Sequence, residues 1–527
     1  PTLSMEGFNA QGEPRPKTAC GKQPEPERWT PVPLPQKHKF ADMLAVPEPP
    51  AELVQFVAEH AAGNPFFVSE YLHTVVDEGL LRRNRFGEWA LGESPDASPT
   101  PAPWAARLQR LALPRTLRAV VERRLRRLSP ELSEILAIAA LLGREFQPEL
   151  LGELCTQTEA VLAESINDAI RRQLLEPSDG GRYRFAHDKL REVAYDTLSV
   201  DRRRTLHHAA AQAMERRGVR ITELSEVANH FSKAEIPNKA IEYLRRAAEH
   251  ALTTGAHKQA VPLLVRAFEH ATDPRSAITA TARAKLHRLY ADALFGIGDS
   301  DGSVVHAEAA LTALDVHLPK TPLRWMLMLL AQCGEQLVRI NSKQATQADP
   351  VDEDRLIELA QAAGRLSSSY FAAHQPQLQV MTATLLAANL ADRAGPQGAC
   401  ALPYSILGCT TGFFRMERLS KLYFARARQD AQRRDARGDE AVIAIQESAL
   451  YQGMARWPEL VSVSESAARI AQQVDDRLAL GALQLIRGVS ELLTGELHLA
   501  ERRLGEIVRD AEGRGSLLNH GWAASLL

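Results

Sequence analysis

Residues 401–440 read ALPYSILGCTTGFFRMERLSKLYFARARQDAQRRDARGDE, 441–480 read AVIAIQESALYQGMARWPELVSVSESAARIAQQVDDRLAL, and 481–520 read GALQLIRGVSELLTGELHLAERRLGEIVRDAEGRGSLLNH. Stacked at a spacing of forty, the three lines agree in their packing positions. Gly408, Ser448 and Gly488 form one set; Ser420, Leu460 and Ala500 a second; Phe424, Ser464 and Leu504 a third; Ala427, Ala467 and Ile507 a fourth. The first set is small throughout. With the second, twelve residues on, it would let two antiparallel helices approach closely, while the third and fourth would point into the seam between units. A fixed period of this kind is the signature of an α-solenoid, in which each helix pair buries its apolar face only against its neighbours.

Working back along the chain, similar but less regular pairs occur at Ala240/Leu244/Ala247, Ala260/Leu264/Ala267 and Ser303/Ala307/Ala310. The array is expected to be of the tetratricopeptide kind, with longer helices than the 34-residue form. It divides into first pairs at 203–318, a connecting segment at 319–352 and the forty-residue repeats at 353–527. The next small position would be 528, one past the end, and the chain begins at Pro1 rather than Met. It is therefore expected to be a piece of a longer protein, cut within a repeat.

The N-terminal third reads differently. Residues 1–49 hold Pro14, Pro16, Pro24, Pro26, Pro31, Pro33 and Pro35 without apolar periodicity, which predicts disorder. Between 50 and 91, Leu53, Phe56, Val57 and His60 share a helix face that ends at Gly63, and Phe67, Tyr71, Leu72 and Val75 share another that stops at Gly79. A Pro/Ser-rich linker covers 92–112. Residues 113–202 show helices from near Pro114 to Leu128, from Pro130 to Leu142 and from Thr158 to Leu174. A hairpin follows through Ser178-Asp179-Gly180-Gly181, then a helix from about Asp188 to Leu198. Helix, helix and Gly-Gly hairpin outline a winged helix-turn-helix. The predicted fold class is mainly α: a helical pair and winged helix, followed by the solenoid.

Composition excludes several classes. With 63 Lys plus Arg against 65 Asp plus Glu, the net charge of −2 argues against a surface made wholly for polyanions. The cysteines, Cys20, Cys155, Cys333, Cys400 and Cys409, show no CxxC pair, so neither a disulfide framework nor a zinc knuckle is expected. The longest apolar stretch near Trp325 ends at Ala331, far short of the roughly 18 residues of a membrane span. No signal segment opens the sequence, and a cytoplasmic location without membrane contact is expected.

Catalytic motifs are missing from the sequence. The Gly21-Lys22 dipeptide has Pro16 in place of the first P-loop glycine and Gln23 after the lysine, and there is no HExxH, GxSxG or kinase motif set. His207-His208 reads as a partly exposed pair on a helix surface, not a metal site. Two motifs are more specific. In Gly63-Asn64-Pro65-Phe66-Phe67-Val68-Ser69-Glu70, Gly63 ends one helix and Pro65 starts the next with its φ preset. In Phe185-Ala186-His187-Asp188-Lys189-Leu190-Arg191, a strand meets a helix, so His187 faces free N–H groups where a phosphate could bind. Asp188 is equally readable as a plain N-cap.

In order, GNPFFVSEYL, LPRTLRAVVERRLRRLSPELSEILAIAALLGREF, YRFAHDKLREVAYDTL and a helical array resemble the C-terminal two-thirds of the bacterial signal-transduction ATPases with numerous domains. The resemblance runs from about residue 45 to the end and is generic over the repeats. It implies an AAA-type P-loop core, then a helical lid (50–91), a winged helix and tetratricopeptide repeats. Such modules often accompany a Ser/Thr protein kinase, a nucleotidyl cyclase or a LuxR-type DNA-binding domain. It also implies that Gly63 and Pro65 pack beside adenine, and that His187 and Asp188 read the ADP β-phosphate. The P-loop should lie upstream of residue 50, where nothing matches it. ATP or ADP with magnesium is thus expected only in the parent protein, with no tight binding and no hydrolysis by this chain.

The leading expectation is a regulatory and scaffold segment whose repeats bind a protein or small-molecule effector. One alternative is a DNA-binding regulator using the helix Thr158–Leu174. Glu159, Glu164 and Asp168 precede Arg171 and Arg172 there, which disfavours a phosphate backbone. The helix carrying Arg115, Arg118, Arg123, Arg124, Arg126 and Arg127 reads as a solvated face partly paired with Glu122. The other alternative is a passive tetratricopeptide adaptor. Apolar surface around Phe66, Phe67 and Leu80 predicts some self-association.

Overall fold

The computed structural model describes residues 117–341, 350–395, 401–474, 476–514 and 517–527, with 81–83, 89–91, Val68 and Val76. The chain is mainly α and forms two compact units that divide between Ser199 and Val200.

In the first unit, β1 (Leu81–Arg83) and β2 (Trp89–Leu91) pair antiparallel, with Leu81 opposite Leu91. The sequence pattern of 50–91 suggested helices only, because three-residue strands are too short to display alternation. The unit continues with α1 (Leu117–Leu125), α2 (Pro130–Leu142), β3 (Glu145–Phe146), α3 (Pro148–Leu154), α4 (Glu159–Arg171), β4 (Leu175–Ser178), β5 (Arg182–Phe185) and α5 (Asp188–Asp196).

Helix α2 is the hub. Ser129 caps it by accepting the Leu132 N–H at 3.2 Å, Pro130 sits where no N–H is needed, and Leu132 and Ile135 through Leu142 are buried. A helix apolar on every side must be covered on every side, and α3, α4 and α5 all pack on it. It stops at Gly143, whose φ of 143° only glycine adopts without strain. The sheet order is β3-β5-β4, all antiparallel, with Phe146 opposite Tyr183 and Leu175 opposite Phe185. Gly180 and Gly181, both at positive φ, form the tip of the β4–β5 hairpin. Strand β3 and helix α3 left no sequence signal, being two and seven residues long.

The second unit is built of consecutive antiparallel helices. They are α6 (Val200–Arg217), α7 (Leu224–Lys233), α8 (Pro237–Thr253), α9 (His257–Ala271), α10 (Ala280–Gly296), α11 (Ser300–Ala313), α12 (Pro322–Asn341) and α13 (Pro350–Ala372). There follow α14 (Gln377–Arg393), α15 (Ala401–Phe413), α16 (Glu417–Arg433), α17 (Arg437–Gly453), α18 (Trp457–Gln473), α19 (Arg477–Thr494), α20 (Leu497–Arg514) and α21 (Leu517–Leu526). The connecting segment 319–352 thus contains a long helix, α12.

All four forty-residue sets are buried. The close approach is visible atom by atom: Ser420 Oγ donates to the Gly408 carbonyl at 2.7 Å across α15 and α16. Ser303 Oγ makes the same bond, twelve residues back, to the Ala291 carbonyl at 2.8 Å. A Cβ placed on Gly408 would lie 2.9 Å from the Phe424 ring, and one on Gly488 2.9 Å from Leu504. Gly408→Val is therefore expected to destabilise the array by about 2–3 kcal/mol, the helix-propensity gain offsetting part of the overpacking. Urea unfolding followed by circular dichroism measures it; an unchanged midpoint would mean that the seam is loose.

The turns repeat at twenty. Arg415, Asp435, Ala455 and Gly495 all have positive φ, and Met416, Ala436, Arg456 and Glu496 each donate their N–H to a carbonyl five residues back. These are Schellman closures, which satisfy the last carbonyls of each helix and reverse the chain. Only at Gly495 does the residue type favour the conformation. Among the described residues, no helix is long and apolar enough to cross a membrane.

Candidate functional site

Strand β5 delivers His187 to the start of α5. The Phe185 N–H is held by the Arg144 carbonyl at 3.0 Å and the Ala186 N–H by that of Leu174 at 3.1 Å, so the strand end is fixed on both sides. His187 is the N-cap residue, with extended backbone (φ −143°, ψ 141°), and its side chain does not cap the helix. Its carbonyl instead accepts the first helical bonds, from the Leu190 and Arg191 N–H groups. Leu190, Val193 and Ala194 anchor the buried face of α5, against α1 and α2. The largely exposed imidazole is thereby presented at the positive end of a helix dipole.

The charges around it are mixed in sign. Partial burial is the largest influence on the imidazole and lowers its pKa; Arg124 and Arg144 push the same way, while Glu176 and Asp188 oppose them. Asp188 lies 3.4 Å from Arg144, an exposed pair of little energetic weight. Glu176 is held by Arg184 at 2.9 Å. Arg124 donates to the carbonyl of Arg172. The net result is an imidazole whose pKa lies below its ordinary value, with two guanidiniums and two carboxylates within electrostatic reach, so that an anion bound at the helix start would favour its protonation.

Of the four residues that the sequence singled out, the chain neighbours His187 and Asp188 lie at the start of α5; Gly63 and Pro65 lie outside the described residues, as do Phe66, Phe67 and Leu80. Arg124 and Arg144 escaped sequence reading. The first belongs to an Arg-rich helix that resembles an ordinary solvated face, and the second reaches the site only through the pairing of β3 with β5.

One further reading changes. His207 is not a surface group: it is buried, its Nδ1 2.8 Å from Nδ1 of His230. Only its neighbour His208 stays partly exposed. On α4, Asp168 binds both Arg171 (3.3 Å) and the following Arg172 (2.8 Å), so the two cations at the helix end share one carboxylate. On α1, Glu122 holds Arg118 at 2.9 Å and Arg126 at 3.5 Å. Among the described residues, no cluster of three or more metal-ligating groups occurs.

A family model described as a domain of unknown function (DUF8739) matches residues 41–82. No curated protein matches the sequence. Among solved structures, the chain is similar to the crystal structure of a Signal Transduction ATPase with Numerous Domains (STAND) protein with a tetratricopeptide repeat sensor from Pyrococcus horikoshii. The identity is 13% and the TM-score 0.35, over 78% of this chain. The chain spans 62% of that protein's length.

Proposed function

We infer that this chain is the sensor and scaffold segment of a multidomain signalling ATPase. The observation that carries the reading is the placing of His187 and Asp188 at the N-terminus of α5 with Arg124 and Arg144 beside them, in a chain whose second unit is a helical repeat array. An adenine nucleotide held by a P-loop core elsewhere in the parent protein would offer its β-phosphate to this helix start, where backbone N–H groups and the two guanidiniums meet negative charge. Gly63 and Pro65 would flank the adenine. The nucleotide and its magnesium supply the charge that the segment reads; the segment's own residues bind, orient and exchange a proton at the His187 ring. The repeat array takes a protein or small-molecule effector, and effector and nucleotide bias one two-state equilibrium. DNA binding by α4 is disfavoured by its acidic residues Glu159, Glu164 and Asp168, and a passive adaptor would have no use for the Arg124 and Arg144 guanidiniums near His187.

The test is a titration of the chain with ADP and magnesium, read by calorimetry and by the NMR pH titration of His187. The expected outcome is no binding tighter than about 1 mM, because no phosphate cradle is present in the sequence. At 10–20 mM ADP (roughly), the His187 pKa should rise by about half a unit or more, and Arg144→Ala should reduce that rise. Micromolar binding weakened by His187→Ala would overturn the missing-cradle half of the reading. A His187 titration indifferent to ADP would overturn the sensing half.

A further inference from the structure

Helix α12 is apolar on two faces, and the second unit covers only one of them. Trp325 is buried, and Met328, Leu329 and Cys333 pack onto the core. Helix α14 fixes this inner face: Asn389 Nδ2 donates to the Gln332 carbonyl at 3.0 Å and to its side-chain oxygen at 2.8 Å, and Arg393 Nη2 lies 2.7 Å from Glu335 Oε2. The outer face carries Leu323, Met326, Leu327, Leu330, Leu337 and Val338, each between 46% and 70% exposed. A helix apolar on every side is normally covered on every side. These six residues present roughly 600 Å² of open surface, the upper limit of the largest apolar patch on an ordinary monomer.

The exposed face has the pattern of a helix seam. Leu323, Leu327, Leu330, Gly334 and Leu337 follow one another at intervals of four, three, four and three, the a/d spacing of a heptad. Arg324 is the only charged residue among the exposed positions from 323 to 338, whereas a helix lying in a membrane surface flanks its apolar face with several Lys and Arg. Gly334 is exposed, and a Cβ placed on it would meet nothing within 4 Å, so its small size serves no contact within the chain. Ala331, on the same face, is exposed too. Small residues flanked by leucines let a second helix come close.

We propose that a second copy of this chain covers the face, the two α12 helices packing antiparallel about a two-fold axis level with residue 332. That register sets Leu330 of each copy over Gly334 of the other and Leu327 over Leu337, with the two Ala331 residues beside the axis. The two Arg324 groups fall at opposite ends, about 24 Å apart at 1.5 Å per residue and beyond the reach of screened repulsion. A parallel pair would set them side by side. Two copies would together cover about 1,200 Å², the lower bound of a stable interface, so a dimer of micromolar affinity is expected. The inference does not rest on the nucleotide reading.

The experiment is light scattering of the whole chain between about 1 and 50 µM. A mass rising with concentration to twice the 58.1 kDa of the chain is expected. Leu330→Glu, at an exposed position, should weaken dimerisation about 100-fold or more, because the change enters the interface twice. Gly334→Leu separates a fitted seam from plain stickiness. It adds apolar surface in open space and removes a helix-weakening residue, yet it should weaken the dimer about tenfold or more by holding the helices apart. Both variants should keep the circular dichroism of the parent chain. A monomer throughout the range, or a mass climbing past the dimer, would overturn the proposal. Sedimentation of such a monomer with anionic vesicles, abolished by Leu330→Glu, would give the face to a membrane instead. A dimer unmoved by Leu330→Glu would place the association elsewhere and overturn it too, as would tighter association of Gly334→Leu.

Discussion

Glu358→Ala is expected to lower the stability of the repeat array by about 3–5 kcal/mol, the range for stranding a buried charge. Glu358 on α13 sits 2.6 Å from Arg288 Nε on α10, with side-chain exposures of only 6% and 13%. Arg288 also reaches Asp292 at 3.0 Å, and Asp292 in turn binds Arg365, whose guanidinium lies 4.5 Å from the centre of the Phe295 ring. Two arginines and two carboxylates therefore close a balanced network between helices 70 residues apart in sequence. Burial opposes the charge on Arg288, but Asp292 and Glu358 outweigh it and raise its pKa. Removing Glu358 leaves two guanidiniums to share one carboxylate. The urea midpoint by circular dichroism should fall accordingly, while the double change Arg288→Met with Glu358→Met should recover most of the loss, since a paired apolar replacement strands nothing. A single-variant loss below about 1 kcal/mol would place the network in solvent rather than in the core.

The second large effect is loss of stability in acid. The Nδ1 atoms of His207 and His230 face each other at 2.8 Å, so one ring donates and the other accepts, which the accepting ring can do only while neutral. Burial lowers His207 to about 3, helped by His230, Lys233 and Arg203, and lowers His230 to about 4, helped by Lys233. A second pair, His287 and His306 at 3.0 Å, repeats the arrangement, with His287 lowered to about 4, chiefly by burial. In the unfolded chain these rings titrate near 6.5. Above that pH neither state binds the protons. Between about 6.5 and 4 the unfolded state takes them up and the folded state does not, so stability falls as pH falls. At 1.36 kcal/mol per unit, the His207–His230 pair should contribute a loss of a few kcal/mol by pH 4.5. Urea midpoints between pH 7.5 and 4.5 measure it, and the variant His207→Leu with His230→Leu should have a visibly flatter profile. Identical profiles for the variant and the parent chain would show that carboxylates elsewhere account for the acid sensitivity.

Legibility in the sequence followed the kind of contact involved. Burial of the four forty-residue sets could be read directly, because Gly408, Ser420, Phe424 and Ala427 meet neighbours that carry equivalent residues at equivalent places. The helix turns were half legible: Gly255, Gly298 and Gly495 announce a left-handed residue, whereas Glu235, Asp315, His374, Arg415, Asp435 and Ala455 adopt the same conformation against their own preference. There the packing of both flanking helices outweighs a local cost of about 1–2 kcal/mol. His187 and Asp188 stood out by position, at the end of a hairpin strand and the start of a helix; the charged neighbours Arg124, Arg144 and Glu176 did not.

What the sequence determined by itself is the solenoid, since a period is a local property repeated and every turn of the array tests it again. What only the tertiary structure decided are the single contacts between distant elements: Arg144 on Asp188, His207 against His230, and Arg288 on Glu358. Each joins residues from different helices or strands, leaves no periodic trace, and depends on side-chain geometry that exists only once the helices have packed.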